Sequence, residues 1–149
     1  MKKLLFLVGL FLTLQSQATH ITGGQITSRC LGGLTQEVTL TLYRDVQGIP
    51  APNSISLEYI STSYIQTRNV SQGNHYSINS TTDAYDYVDT VTLPYVDSYT
   101  ISYTTCCRSL TIANITNPTS SPIYLEMVVY VDSTCNSSPR PAFGSPEES

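Results

Sequence analysis

Four cysteines, two histidines and one loose group of aspartates are the side chains of this chain with the types and spacing for chemistry. Cys106 and Cys107 adjoin each other, whereas Cys30 and Cys135 stand far off on either side. Successive side chains of a strand point to opposite faces. Tyr99, Ile101, Tyr103 and Cys107 would therefore share one face, and Ser102, Thr104 and Cys106 the other. Four cysteines allow three pairings. The opposed directions of the adjoining thiols favour each taking a partner from Cys30 and Cys135 over a ring between the neighbours. Zinc would want a Cys-x-x-Cys pair or a paired-histidine spacing, and neither occurs. No metal ligand set is assigned.

The histidines suggest little more. An amino-terminal histidine joined by an internal one can hold copper, but that needs His20 at position one, with cleavage after Thr19 and poorly suited residues before the cut. His20 is read as part of the first strand and His75, beside Gly73 and Asn74, as a loop residue. Asp83, Asp86 and Asp89, with Asp97 nearby, form the one local concentration of carboxylates. Calcium is the ion such oxygens could hold. The spacing is not that of an EF-hand, and from Tyr85 onward the residues read as strand, which sends Asp86 and Asp89 to opposite faces. A solvated acidic edge is the reading adopted, with no cofactor.

No catalytic residues are assigned. A Gly-x-Ser-x-Gly elbow is absent, and Glu58 and Glu126 sit on the outward faces of alternating strands, where glutamate serves solubility. Arg44, Asp45 and Arg108 are expected to do structural work, an arginine holding a strand end to an acidic neighbour such as Asp45 through its forked guanidinium. The tyrosines outnumber the other aromatic residues, with no tryptophan, and Tyr85, Tyr87, Tyr95, Tyr99 and Tyr103 fall in one short stretch. Three or more of their rings coplanar on an exposed face would suit a sugar; buried or scattered rings would fit a passive module.

These residues must be positioned by strands, and by strands in an exported chain. Lys2-Lys3, an apolar run from Leu4 to Leu14 and small residues at Ser16 and Ala18 make residues 1–18 a secretory signal peptide. The apolar run is too short to span a bilayer, which takes about 20 residues. About 131 residues remain, enough for one β-domain over 19–135 with a tail over 136–149. The mature chain carries five arginines and no lysine against eleven acidic residues, a formal charge of −6. That balance argues against nucleic acid as a partner. An exported chain with four cysteines reads as disulfide-stapled, without a membrane span in its mature part.

Along the chain, alternation is cleanest from Glu37 to Tyr43, with Val38, Leu40 and Leu42 on one face. Thr19 to Cys30 is extended, and Gly23-Gly24 inside it marks a bulge or a close approach of backbones. Ser54 to Ile60, Tyr64 to Arg68, Tyr85 to Leu93, Val96 to Cys107 and Ile123 to Val131 follow as strands, with a shorter segment bearing Leu110, Ile112 and Ile115. Asn69 to Asn74, polar and holding Gly73, is expected to be a hairpin tip whose return strand includes Tyr76 and Ile78. No window keeps helical periodicity. The fold expected is all-β, an antiparallel β-sandwich (Ig-like or jelly-roll-like) of about eight short strands.

Four motifs, in order, resemble a known group: Thr19-His-Ile-Thr-Gly-Gly-Gln-Ile-Thr-Ser-Arg-Cys-Leu-Gly-Gly33, Val38-Thr-Leu-Thr-Leu-Tyr-Arg-Asp45, Cys106-Cys-Arg108 and Cys135-Asn-Ser-Ser-Pro139. The chain is similar to the amino-terminal region of large secreted surface proteins of gliding Bacteroidetes. In that group the region precedes Ig-like repeats and a sorting domain for type IX secretion. The resemblance implies an adhesin-like or architectural role at the cell surface, gliding-motility-associated, with an extracellular protein or glycan as partner. Two departures stand out. Val46 occupies a position where the group often has cysteine, and the chain ends soon after its last motif, as a fragment, a truncated gene or a stand-alone copy of the leading domain would.

Overall fold

The computed structural model describes residues 20–106 and 121–135. They form seven strands: β1 (Ile21–Gly32), β2 (Thr35–Asp45), β3 (Ser54–Ser61), β4 (Tyr64–Asn79), β5 (Thr82–Thr92), β6 (Asp97–Thr105) and β7 (Ile123–Val131). Their order across the sheet is β1-β2-β5-β4-β3-β6-β7, every neighbouring pair antiparallel. No helix occurs among the described residues. The all-β antiparallel architecture expected from the alternation is present, nearly closed into a barrel.

β4 makes that closure possible. Its first half, Tyr64 to Ser71, pairs with β3, and its second half, from Gln72 to Asn79, pairs with β5. One strand thus belongs to two layers, β1-β2-β5 on one side and β3-β6-β7 on the other. The expected hairpin tip over Asn69 to Asn74 is corrected by this pairing. Asn69 faces Ser56 across the ladder, where Ser56 Oγ meets Asn69 Oδ1 at 2.8 Å, and Val70 is buried between two outward polar residues. Gly73 lies inside the bulge between Gln72 and His75, where the strand changes partners. A Cβ there would come within 3.2 Å of the Asp86 carbonyl oxygen. The glycine marks a close backbone approach rather than a turn.

The inward faces are those the alternation picks out. Val38, Leu40, Leu42, Leu57, Tyr59 and Ile101 are fully covered, and Tyr99, Tyr103, Met127, Val129 and Val131 join them. Full burial of such side chains is worth roughly 1.5–3 kcal/mol apiece. The buried tyrosines keep their hydroxyls satisfied at the ends of the core. Tyr87 donates to the Pro52 carbonyl (2.6 Å), and Tyr99 donates to the Tyr95 carbonyl (3.0 Å), closing the turn between β5 and β6.

On the far side, β1 and β7 pack against each other without a shared ladder. Gly24 is the reason they can. A Cβ at that position would stand 2.6 Å from the Thr41 carbonyl oxygen and 2.8 Å from Leu125 Cδ1, whereas Gly23, at the bulge after Ile21, has nothing within 4 Å. Gly24→Ala is expected to lower stability by about 1–3 kcal/mol in urea unfolding, and Gly23→Ala to change it little. Equal effects at both positions would contradict this assignment of the seam.

Candidate functional site

The cysteines pair differently from expectation. Cys30 is joined to Cys135, with their Cα atoms 5.5 Å apart. The expectation that each of Cys106 and Cys107 would take one of this distant pair is therefore corrected. Strand direction explains why. With every neighbouring pair antiparallel, the first and last of seven strands run the same way, so the end of β1 and the residues after β7 meet at one end of the molecule. Cys106 follows Thr105, which faces Ile123 at the opposite end of β7. Nine residues of strand, about 30 Å, lie between the two ends. Cys106 is itself disulfide-bonded, and Cys107 and Arg108 lie outside the described residues, as does the segment bearing Leu110, Ile112 and Ile115.

Arg44 does hold a strand end, but its acidic partner is Asp83 and not Asp45. Burial at 8% exposure leaves its guanidinium turned inward at the end of β2. Nε donates to the Ile49 carbonyl (2.6 Å), Nη2 to the carbonyls of Gly48 and Val46, and Nη1 to the Tyr85 hydroxyl (3.2 Å). Asp83 Oδ2 stands 3.6 Å from Nη1. Asp45 instead accepts from the Gln47 backbone N–H at 3.0 Å, turning the chain away from the strand. Arg44 thus organises the loop between β2 and β3 through carbonyls a hydrophobic side chain could not satisfy. Arg44→Met is expected to cost about 2 kcal/mol and to speed proteolytic cleavage between residues 46 and 53. Unchanged cleavage there would show that the loop is held by other means.

The histidines flank this cluster without joining each other in a ligand set. The His75 ring stacks on Tyr85, centroids 4.4 Å apart and 13° between planes, with Nε2 3.4 Å from Asp83 Oδ2. It belongs to β4, not to a loop. His20 precedes β1; its carbonyl accepts from the Asp45 N–H at 3.0 Å, and its side chain fills the space a Cβ on Gly48 would take. Among the described residues, no three His, Cys, Asp or Glu side chains converge as a metal would require. The three aspartates considered for calcium are each engaged separately: Asp83 as above, Asp86 by Thr41 Oγ1 (2.7 Å), and Asp89 inside the fold.

Asp89 and its partners are the polar centre that alternation alone did not disclose. It shares an inward parity with Tyr85, Tyr87 and Val91 and is 7% exposed. Arg68 grips it at two points, Nε to Oδ2 at 2.6 Å and Nη2 to Oδ1 at 2.9 Å, while Tyr59 donates its hydroxyl to Oδ2 at 2.9 Å. Burial pushes the Tyr59 hydroxyl far up, reinforced by the Asp89 charge, so it remains a donor. The hydrogen bond to Asp89 likewise raises Arg68. This bridge stands where the β4–β5 ladder has stopped at Gln72 and Tyr87, and it ties the two layers across the gap. The available signal was a charged residue at an inward position of an alternating strand, which demands an internal partner.

Exposed apolar side chains occur at several places, among them Tyr76, Ile78 and Val88, and on the outer face of β4, β3, β6 and β7 they fall in register. Ile65, 77% exposed, faces Ile60; Ile60 faces Thr100; Thr100 faces Val128. One row, apolar except at Thr100, thus crosses four strands, with Tyr130 and Tyr124 exposed above and below it on β7. Of the five clustered tyrosines, Tyr85, Tyr87, Tyr99 and Tyr103 are buried and only Tyr95 is exposed. Those rings therefore make no exposed coplanar platform. No helix among the described residues is long and apolar enough to cross a membrane. Comparison with family models, with curated proteins and with solved structures finds no match to the chain.

Proposed function

We propose that the chain is a secreted, non-catalytic recognition module that contributes to adhesion or surface architecture at the cell exterior. This is the role that its resemblance to the leading domain of Bacteroidetes surface proteins implies. The observation that carries it is the outward row in which Ile65, Ile60 and Val128, with Thr100 between the last two, are exposed on a solvated sheet face, since apolar side chains grouped there mark a contact surface. The long-range disulfide supports export, since such bonds persist in oxidising compartments. A sugar-binding alternative would want tyrosine rings grouped outside, and the grouped ones are buried.

Adsorption of the purified mature chain to protein-coated and to polysaccharide-coated surfaces tests this. Retention on the protein-coated surface is expected, with loss of most of it in Ile65→Ser/Val128→Ser; both positions are exposed, so the fold should survive. Retention on polysaccharide alone would favour the sugar reading, and retention unaffected by the substitutions would remove this face from the account.

A further inference from the structure

The row neighbouring Ile65, Ile60, Thr100 and Val128 carries two exposed glutamates on either side of the buried Ser102. Thr67 faces Glu58, Glu58 faces Ser102, and Ser102 faces Glu126, so two glutamates stand on the same face with one strand between them. Strand spacing puts their Cα atoms about 10 Å apart and the two rows about 7 Å apart. Both glutamates are exposed, and neither has a cationic partner among the described residues. Tyr124 donates its hydroxyl to Glu126 Oε2 at 2.8 Å, and that bond above all raises its pKa, with the Glu58 charge adding to it. Two carboxylates beside exposed aliphatics complement a partner surface that sets cations beside apolar groups.

We propose that this face takes a cationic protein surface, one that presents lysine or arginine beside aliphatic side chains at the spacing of the two rows. The proposal rests on the recognition reading above and names the partner chemistry. A second copy stacked face to face would bring four glutamates together between chains that each carry net negative charge, so self-association through this face is opposed. A glycan would find two exposed rings on this face, Tyr124 and Tyr130, fewer than the three coplanar rings a sugar platform wants. The apolar row contributes burial, and the acidic row contributes orientation, faster encounter and rejection of acidic partners.

Binding of three short synthetic peptides to the full mature chain tests it: lysine alternating with valine, glutamate alternating with valine, and lysine alternating with serine. The lysine–valine peptide is expected to bind at least about tenfold tighter than either of the others, and more weakly as salt rises. Glu58→Lys/Glu126→Lys is expected to reverse the preference toward the glutamate–valine peptide. Equal binding of the lysine–serine peptide, or indifference to the charge reversal, overturns the proposal. If no peptide binds while Ile65→Ser/Val128→Ser still abolishes retention on protein-coated surfaces, the cationic partner is wrong and the recognition surface stands.

Discussion

Arg68→Met is expected to destabilise the fold by about 3–5 kcal/mol, because it strands the Asp89 carboxylate where its side chain is only 9% exposed. Tyr59 would remain as its donor, and one neutral hydroxyl does not compensate a buried charge. Arg68 itself is 35% exposed, so the reverse change, Asp89→Leu, lets the guanidinium turn toward water and should cost less. The double variant Arg68→Met/Asp89→Leu should recover much of the loss, since a buried ion pair can be replaced by apolar packing at little net cost. Urea unfolding of the three variants measures each term, and the double-mutant cycle measures the coupling. A loss below about 1 kcal/mol for Arg68→Met would mean that the pair behaves as a surface ion pair and does not hold the layers together.

Removing the disulfide with Cys30→Ala/Cys135→Ala is expected to cost about 4 kcal/mol. The two cysteines are 105 residues apart in sequence, so the bond closes most of the described chain into one loop and removes much of the freedom of the unfolded state. It also fastens the side where, among the described residues, β1 and β7 lie side by side without a ladder. The seam should therefore loosen first in the variant, with faster amide exchange in β1 and β7 than in β2 and β5. Non-reducing peptide mapping is expected to recover Cys30 linked to Cys135. A Cys30–Cys106 peptide, or a stability loss below about 1 kcal/mol, would refute the pairing.

Much of the scaffold was legible because a strand repeats every two residues. Val38, Leu40 and Leu42, or Ile123, Met127, Val129 and Val131, declare their inward face without reference to anything distant. Gly23-Gly24 declared the irregularity of β1 in the same way. The polar run from Asn69 to Asn74 misled, because outward residues of a strand and residues of a turn have the same composition. Arg44 was legible as a structural residue, yet its partner was not. Asp45 adjoins it in sequence, while Asp83 reaches it from the strand paired with β2, where Arg44 and Asp83 are direct partners.

By itself, then, the sequence determined most of the strands, their buried faces and a disulfide-bearing β-domain, since each of these follows from local periodicity or composition. Only the tertiary structure decided which cysteines meet, that β4 serves two layers, that Arg68 and Tyr59 enclose Asp89, and that apolar and acidic rows line up across four strands. The physical reason is common to all four. Each depends on strand order and register between segments far apart in the chain, and a period of two states which way a side chain points but not which neighbour it meets.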